Sequence, residues 1–361
     1  MTAAQSRLER LASYLQADPD NVNLLRDMAK EALSERLYPQ AIEALNRLEA
    51  LGQQDANDAA AKLFAQVRAG QIDQACDYAR AARQAWPDDE AVRLEGARAL
   101  FHARQYQETI DWVQSAPFTD AALAQMAGDV LLQSLWHLGE LEQACQIGAQ
   151  ILAQWPDNPA LCSIYSALLY DNDDMNQAFE YAKRAYTVSP AHAYQALHVL
   201  ASERLLRQDL PGAMRFVELA QGQRQDDGRV WLIKGSVEMI AGQTDQALGS
   251  LKAALQAYPN HPGSYLALAW LQLTQKQFDE AAATVQQAIA VSPAFAESHG
   301  TLATILWLQG DADGAKASIR RAQLLDKDSY AAKYAQALMD GAAPEQIQEL
   351  GKQVLIRAGL S

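Results

Sequence analysis

Cysteine, positive charge and long apolar runs are all scarce in this chain of 361 residues. The three cysteines, at positions 76, 145 and 162, are an odd number in a chain with ample apolar content, which argues against a disulfide framework and favours a reducing cytoplasm. The 30 Lys and Arg residues are outnumbered by 44 Asp and Glu residues, giving a net charge of −14. A protein this acidic has no electrostatic reason to bind nucleic acid or anionic lipid.

No run of the sequence approaches the roughly 18 consecutive apolar residues of a membrane-spanning helix, and its beginning lacks the apolar segment of a signal peptide. We therefore expect a soluble, cytoplasmic protein with no membrane partner. The common signatures of catalytic sites are absent too: there is no G-x-x-x-x-G-K-[ST], G-x-G-x-x-G, G-x-S-x-G, H-E-x-x-H or C-x-x-C. The six histidines lack the close spacing of metal ligands. The sequence thus predicts no enzymatic activity and no catalytic, cofactor-binding or metal-binding residue.

What the chain does contain is a period of 34 or 35 residues. A small residue recurs at this interval nine times, at Ala41, Ala75, Thr109, Ala144, Ala178, Ala213, Ala247, Ala281 and Ala315. Prolines follow five of these marker residues by twelve positions, at 87, 156, 190, 259 and 293. We interpret each copy as a pair of helices, in which the marker opens the second helix and the proline follows its end.

Glycine and aspartate recur near the turn between the two helices of a pair. Four glycines stand five residues before a marker, which predicts a left-handed residue ending the first helix; they are Gly70, Gly139, Gly242 and Gly310. Asp73, Asp245 and Asp313 are predicted to cap the second helices.

These residues resemble the tetratricopeptide repeat (TPR), a 34-residue pattern written W-x2-L-G-x2-Y, then A-x3-F, then P. At the pattern positions the seventh copy reads Trp231, Lys234, Gly235, Glu238, Ala247, Leu251, Ala254 and Pro259. The resemblance covers nine consecutive copies. It implies an all-α fold, a right-handed superhelical solenoid of paired antiparallel helices in which neighbouring copies stack to bury their apolar faces.

The nine copies, over residues 22–328, are flanked by segments outside the register. Residues 1–21 predict an N-terminal capping helix, and residues 329–361 predict C-terminal capping helices. The last of these carries an apolar stripe formed by Ile347, Leu350 and Val354. The third copy is irregular because Arg93 and Gly96 replace pattern residues and Pro117 shortens the second helix, which predicts either a bend or a local loop.

In a TPR solenoid the first helix of each copy lines the concave side, so we expect partner binding there. The ninth and twelfth positions carry mostly apolar and aromatic side chains, which predict a partner-binding groove. The predicted groove residues are Phe64, Phe101, Trp136, Tyr170, Leu205, Met239, Trp270 and Trp307. The alternative is that individual rings pack against the neighbouring copy.

The sequence lacks the residues that two familiar TPR binding modes require. A carboxylate clamp would need Asn where Ala61 stands and basic residues where the third copy has Ala91 and Glu95, and no asparagine ladder runs along the first helices. Residues 101–180 hold one basic residue, Arg104, and eleven acidic ones. The favoured interpretation of this acidity is a solvated surface. The alternative is that it matches a protein partner, a peptide or helical segment with apolar anchors and flanking Lys or Arg.

The leading hypothesis from the sequence is a non-enzymatic scaffold or adaptor that holds such a segment in its groove. Two alternatives remain open: a chaperone for a secreted or membrane-active protein, and a regulatory subunit of a larger enzyme.

Overall fold

Helices make up all the regular structure in residues 3–358, which are the residues that the computed structural model describes, with side chains described over 7–356. The all-α fold expected from the period is therefore confirmed. The chain divides into an N-terminal unit, Met1–Asp174, and a C-terminal unit, Met175–Ser361.

The N-terminal unit begins with a single helix, on which the first helix pair packs. Leu8 and Leu11 of that helix are buried, as expected of an amphipathic cap. The helices of this unit are α1 (Ala3–Ala17), α2 (Val22–Ser34), α3 (Tyr38–Ala50), α4 (Ala56–Arg68), α5 (Ile72–Ala85), α6 (Glu90–His102), α7 (Tyr106–Gln114), α8 (Ala121–Leu138), α9 (Leu141–Gln154) and α10 (Pro159–Asp171).

The C-terminal unit continues the alternation of first and second helices and ends with two helices outside the period. Its helices are α11 (Met175–Val188), α12 (Tyr194–Leu206), α13 (Leu210–Gln223), α14 (Gly228–Ile240), α15 (Thr244–Ala257), α16 (Pro262–Thr274), α17 (Phe278–Val291), α18 (Ala296–Leu308), α19 (Ala312–Leu325), α20 (Tyr330–Met339) and α21 (Pro344–Ala358). A short 3-10 helix, Pro190–His192, precedes α12.

The marker residue is the fourth residue of every second helix, and all nine markers have 0% of their surface exposed. In each pair whose two helices lie in one unit, the helices approach closely there, so a larger side chain would meet the neighbouring helix. The five prolines that follow markers by twelve residues lie just beyond the ends of second helices, as predicted.

The turn between the helices of a pair is left-handed in all nine copies. The four glycines predicted to adopt this conformation do so, with φ between 76° and 89°. In the other five copies the same position holds a non-glycine residue with φ between 59° and 62°; these are Arg36, Arg104, Asp173, Gln208 and Lys276. The conformation thus belongs to the helix pair, and glycine is the residue that adopts it with least strain.

The predicted capping role of Asp73, Asp245 and Asp313 is wrong. Each lies inside the first turn of its helix, while the N-caps of α5 and α15 make no side-chain hydrogen bond and Asp311 caps α19. The N-cap position follows the left-handed residue directly, two residues before the predicted aspartate in each case. The three carboxylates still lie near the positive end of the helix dipole.

In the third copy, a small residue on the first helix packs against a large residue on the second helix. A Cβ at Gly96 of α6 would overlap the ring of Trp112 on α7, which is buried at that spot. The guanidinium of Arg83 lies 4.5 Å from the centroid of the Trp112 ring. Glycine therefore makes room in α6 for an indole on α7.

The segment after α7 is an ordered local loop. Helix α7 has 9 residues, whereas α5 and α9 have 14 each. The Glu90 carboxylate accepts hydrogen bonds from the backbone N–H groups of Thr119 at 2.7 Å and Asp120 at 3.1 Å. Arg93 donates to the Pro117 carbonyl oxygen at 2.9 Å. Together these bonds tie the loop to the first helix of its own copy.

Candidate protein-binding surfaces

Each predicted groove residue lies on the first helix of its pair, four in each unit. We call the surface formed by the first helices of one unit its first-helix face. In the N-terminal unit this face carries Phe64 on α4, Phe101 on α6, Trp136 on α8 and Tyr170 on α10. The first three are half-buried, whereas Tyr170 is only 7% exposed.

An aromatic cluster, formed by Phe101, Tyr106, Trp136 and His137, joins the third and fourth copies. The rings of Tyr106 and His137 stack with centroids 4.7 Å apart and an interplanar angle of 13°. The Phe101 ring lies 5.6 Å from Tyr106 and 5.7 Å from His137, and Trp136 lies 6.4 Å from His137. Reasoning from sequence missed Tyr106 and His137, although His137 directly follows a predicted residue.

The Trp136 indole is oriented by a carboxylate. Its N–H donates a hydrogen bond of 2.7 Å to Asp171 at the end of α10. Because the acceptor is charged, this bond is stronger than one between neutral groups. It fixes the ring and places a negative charge beside it.

Two further carboxyl groups lie on the same helices as the aromatic residues, about two helical turns before them. Glu95 pairs with Arg98 at 3.0 Å on α6, and Asp129 accepts a hydrogen bond of 2.8 Å from the Gln133 amide on α8. Burial raises the pKa of Asp129 to about 6, although the Gln133 bond and the charge of Arg98 act in the opposite direction. Burial also raises the pKa of Glu95, opposed by Arg98.

Positive charge borders the face on the side of Phe64. The Phe64 ring meets Tyr38 edge-on at 6.3 Å, and the Arg68 guanidinium lies 5.9 Å from the Phe64 centroid. Burial lowers the pKa of His102, and the charges of Arg98 and Arg68 lower it further. His102 is therefore neutral near pH 7.

The first-helix face of the C-terminal unit differs because most of its predicted residues are buried. Leu205 on α12, Met239 on α14 and Trp270 on α16 have at most 8% of their surface exposed, while Trp307 on α18 is half-buried. The Trp270 N–H donates to the Thr301 hydroxyl at 3.2 Å. Its ring meets Tyr334 of α20 edge-on at 5.3 Å.

The terminal helix α21 contributes to this burial. It packs on α20 and on two first helices, α14 and α16. Val354 belongs to the buried cluster that contains Met239 and Trp270, and Ile356 belongs to the one that contains Leu205. We had expected α21 to cap the end of the array, and nothing in the period indicates that it reaches back to α14.

A buried carboxylate lies on α12 of the same unit. Glu203 has 3% of its side chain exposed, and one of its oxygens lies 3.0 Å from Arg207 and 3.4 Å from Lys183. Two cations thus offset the cost of burying this charge.

Residues 3–358, which the structure describes, contain neither a membrane-spanning helix nor a cluster of metal ligands. No helix there is long and apolar enough to cross a membrane. No three side chains among His, Cys, Asp and Glu are grouped so that they could hold a metal ion. Cys76 and Cys145 are free thiols, and the Cys162 thiol donates a hydrogen bond of 3.3 Å to the Pro156 carbonyl oxygen.

The tetratricopeptide repeat family matches residues 238–291 and 272–339, all within the C-terminal unit. No curated protein sequence matches the chain. Among solved structures, a monomeric mutant of IFIT1 with Gppp-AAAA is 15% identical, with a TM-score of 0.52 over 84% of this chain and 77% of IFIT1.

Two other solved structures are similar at lower TM-scores. YrrB, described as a TPR protein with an unusual peptide-binding site, is 15% identical, with a TM-score of 0.36 over 52% of this chain and 97% of YrrB. Yeast Tom70 is 16% identical, with a TM-score of 0.40 over 94% of this chain and 87% of Tom70. The likeness to IFIT1, at 15% identity, shows the fold alone.

Proposed function

We propose that this chain, whose C-terminal unit matches the tetratricopeptide repeat family, is a non-enzymatic scaffold or adaptor that binds a protein partner, with the first-helix face of the N-terminal unit as the binding surface. The observation that carries the proposal is the aromatic cluster. Half-buried Phe and Trp side chains on a protein surface are characteristic anchors of protein interfaces.

The charges around the cluster define the partner's chemistry. Asp171 lies beside Trp136, and Asp129 and Glu95 lie about two turns before Trp136 and Phe101 on the same helices. A peptide or helical segment with apolar anchors and flanking Lys or Arg would match both the rings and the carboxylates. IFIT1 was solved with Gppp-AAAA, but carboxylates beside the rings give a phosphate-bearing ligand no favourable charge here.

The proposal is tested with peptides selected from a random display library on the full-length protein. Their affinities are then measured by fluorescence anisotropy for the wild type, Phe101→Ala and Trp136→Ala. We expect selected peptides to combine an apolar anchor with Lys or Arg, and Trp136→Ala to weaken binding at least about tenfold, the range of an interface hot spot. Affinity should also fall as salt is raised.

The matched control is Leu138→Ala, because Leu138 lies on the same helix and is 41% exposed. It should leave the affinity unchanged, and circular dichroism should show all three variants folded. Peptides that bind Phe101→Ala and Trp136→Ala as tightly as the wild type would refute the surface. The same variants, used to capture cellular partners, would separate a secreted client from a catalytic chain and so test the chaperone and enzyme-subunit alternatives.

A further inference from the structure

The C-terminal unit holds a helix of its own chain against its first-helix face. Helix α21 packs on α14 and α16, which are first helices, and it places Val354 and Ile356 in the buried clusters of that face. Those clusters include three predicted groove residues, Leu205, Met239 and Trp270. The face therefore already accepts an amphipathic helix through aliphatic side chains.

The contacts that hold α21 are apolar. Gly351 lies so close to α20 that a Cβ there would be 3.2 Å from Tyr334 Cε2, and Leu355 packs on the same cluster as Val354. The side chains of α21 are described over residues 344–356. Among them, the Gln353 amide donates a hydrogen bond of 3.0 Å to the Glu349 carboxylate, within the helix itself. No described side chain of α21 forms an ion pair or hydrogen bond with α14, α16 or α20.

We propose that the first-helix face of the C-terminal unit is a second protein-binding surface, which takes an amphipathic helix from a partner protein and which α21 occupies in the partner's absence. The partner helix would carry aliphatic side chains at the spacing of Ile347, Leu350 and Val354. This surface is independent of the aromatic cluster, and the two proposals can fail separately.

The short connection to α20 lets α21 compete strongly with a partner helix for the first-helix face, although its contacts with that face are few. Only residues 340–343 separate the two helices, and a tether this short gives an effective concentration in the millimolar range. A helix binding from solution must displace α21, so its apparent affinity is reduced by the fraction of molecules in which the face is open.

The test uses a fluorescein-labelled peptide with the sequence of residues 343–358 as the probe and the full-length protein as the receptor. Val354→Glu/Ile356→Glu places two charges in the buried clusters and should release α21. Fluorescence anisotropy should show the probe binding this variant at least tenfold more tightly than the wild type. Lys352→Glu, on the exposed side of α21, is the matched control and should bind the probe no better than the wild type.

Two further measurements keep the test decisive if the double variant folds poorly. Gly351→Leu adds bulk against Tyr334 while keeping α21 helical, and it should raise the affinity for the probe by a smaller factor. In the wild type, a saturating excess of probe should increase hydrogen exchange at the amides of residues 347–356. Equal affinity of the wild type and the folded variants, or exchange that the probe does not alter, would overturn the proposal.

Discussion

The first-helix faces of the two units carry side chains of the same kind at the same repeat positions, yet they differ in exposure. In the N-terminal unit Phe64, Phe101 and Trp136 are half-buried, whereas in the C-terminal unit Met239 and Trp270 are buried in a cluster that also contains Val354 of α21. The repeat pattern therefore determines which residues line the face. A helix outside the repeats determines, in the C-terminal unit, how much of the lining is left for a partner.

The largest expected effect on this difference in exposure comes from the substitution Gly300→Ala. A Cβ at position 300 of α18 would overlap the backbone nitrogen of Ala332 and lie 2.7 Å from the carbonyl carbon of Ala331, both on α20. Because backbone cannot rotate away as a side chain can, we expect α20 to shift and to carry α21 with it. Thermal unfolding followed by circular dichroism should show a loss of about 3 kcal/mol.

The control for Gly300→Ala is Gly249→Ala on α15, where no atom lies within 4 Å of the added methyl group. It should stabilise the protein by up to about 1 kcal/mol through helix propensity alone. An unfolding curve for Gly300→Ala that matches the wild type would show that α18 and α20 are less tightly apposed than described.

A second prediction concerns the N-terminal face, where the pKa of Asp129 is raised to about 6. A carboxyl group whose pKa is higher in the folded than in the unfolded state destabilises the fold when ionised. This cost is full above about pH 6, shrinks as the pH falls through that value and is absent below about pH 4. Asp129→Asn should therefore stabilise the protein at pH 7.5 by roughly 2 kcal/mol and have little effect at pH 4.

Urea unfolding at the two pH values measures this effect. Asp77→Asn is the control, since Asp77 is an exposed carboxylate on α5 of the same unit, and it should change stability little at either pH. If Asp129→Asn is destabilising at pH 7.5, then the ionised carboxylate makes a favourable contact that outweighs its burial.

The smallest expected effect concerns the left-handed turn, a feature that the two units share. Arg104 in the N-terminal unit and Lys276 in the C-terminal unit hold the same left-handed turn position, with φ of 60° in each. Replacement of either by glycine relieves steric strain but adds conformational entropy to the unfolded chain. We expect a net stabilisation of about 0.5 kcal/mol in both cases, measured by urea unfolding.

The reverse change at the same repeat position is Gly242→Ala, which should destabilise by about 1 kcal/mol. Unequal effects of Arg104→Gly and Lys276→Gly would mean that the turns, and not only the linings, differ between the units.

The features that sequence predicted best are those that recur. The marker alanines were found because every helix pair needs a small residue at its close approach, and all prove to be buried. The left-handed turn was recognised only at four glycines, because arginine, glutamine or lysine at that position carries no signature of positive φ. The aspartate caps were misplaced for a related reason, since the turn sets the N-cap two residues earlier.

The site was predicted in part. Twelfth-position residues such as Phe101 and Trp136 lie on the expected face, but the stacking of Tyr106 on His137 depends on side chains from two different helices. The exposure of each lining residue could not be predicted, because it depends on where α21 packs and that helix lies outside the period. The apolar stripe of α21 was visible in the sequence, but its binding surface was not.

The packing of Gly96 against Trp112 has an evolutionary consequence. A larger residue at position 96 would collide with the indole, and a smaller residue at position 112 would leave a cavity where the ring now packs. A change back to the common repeat pattern at either position alone would therefore be selected against. The two positions should vary together among descendants of this chain, so that the third copy diverges from its neighbours by paired substitutions.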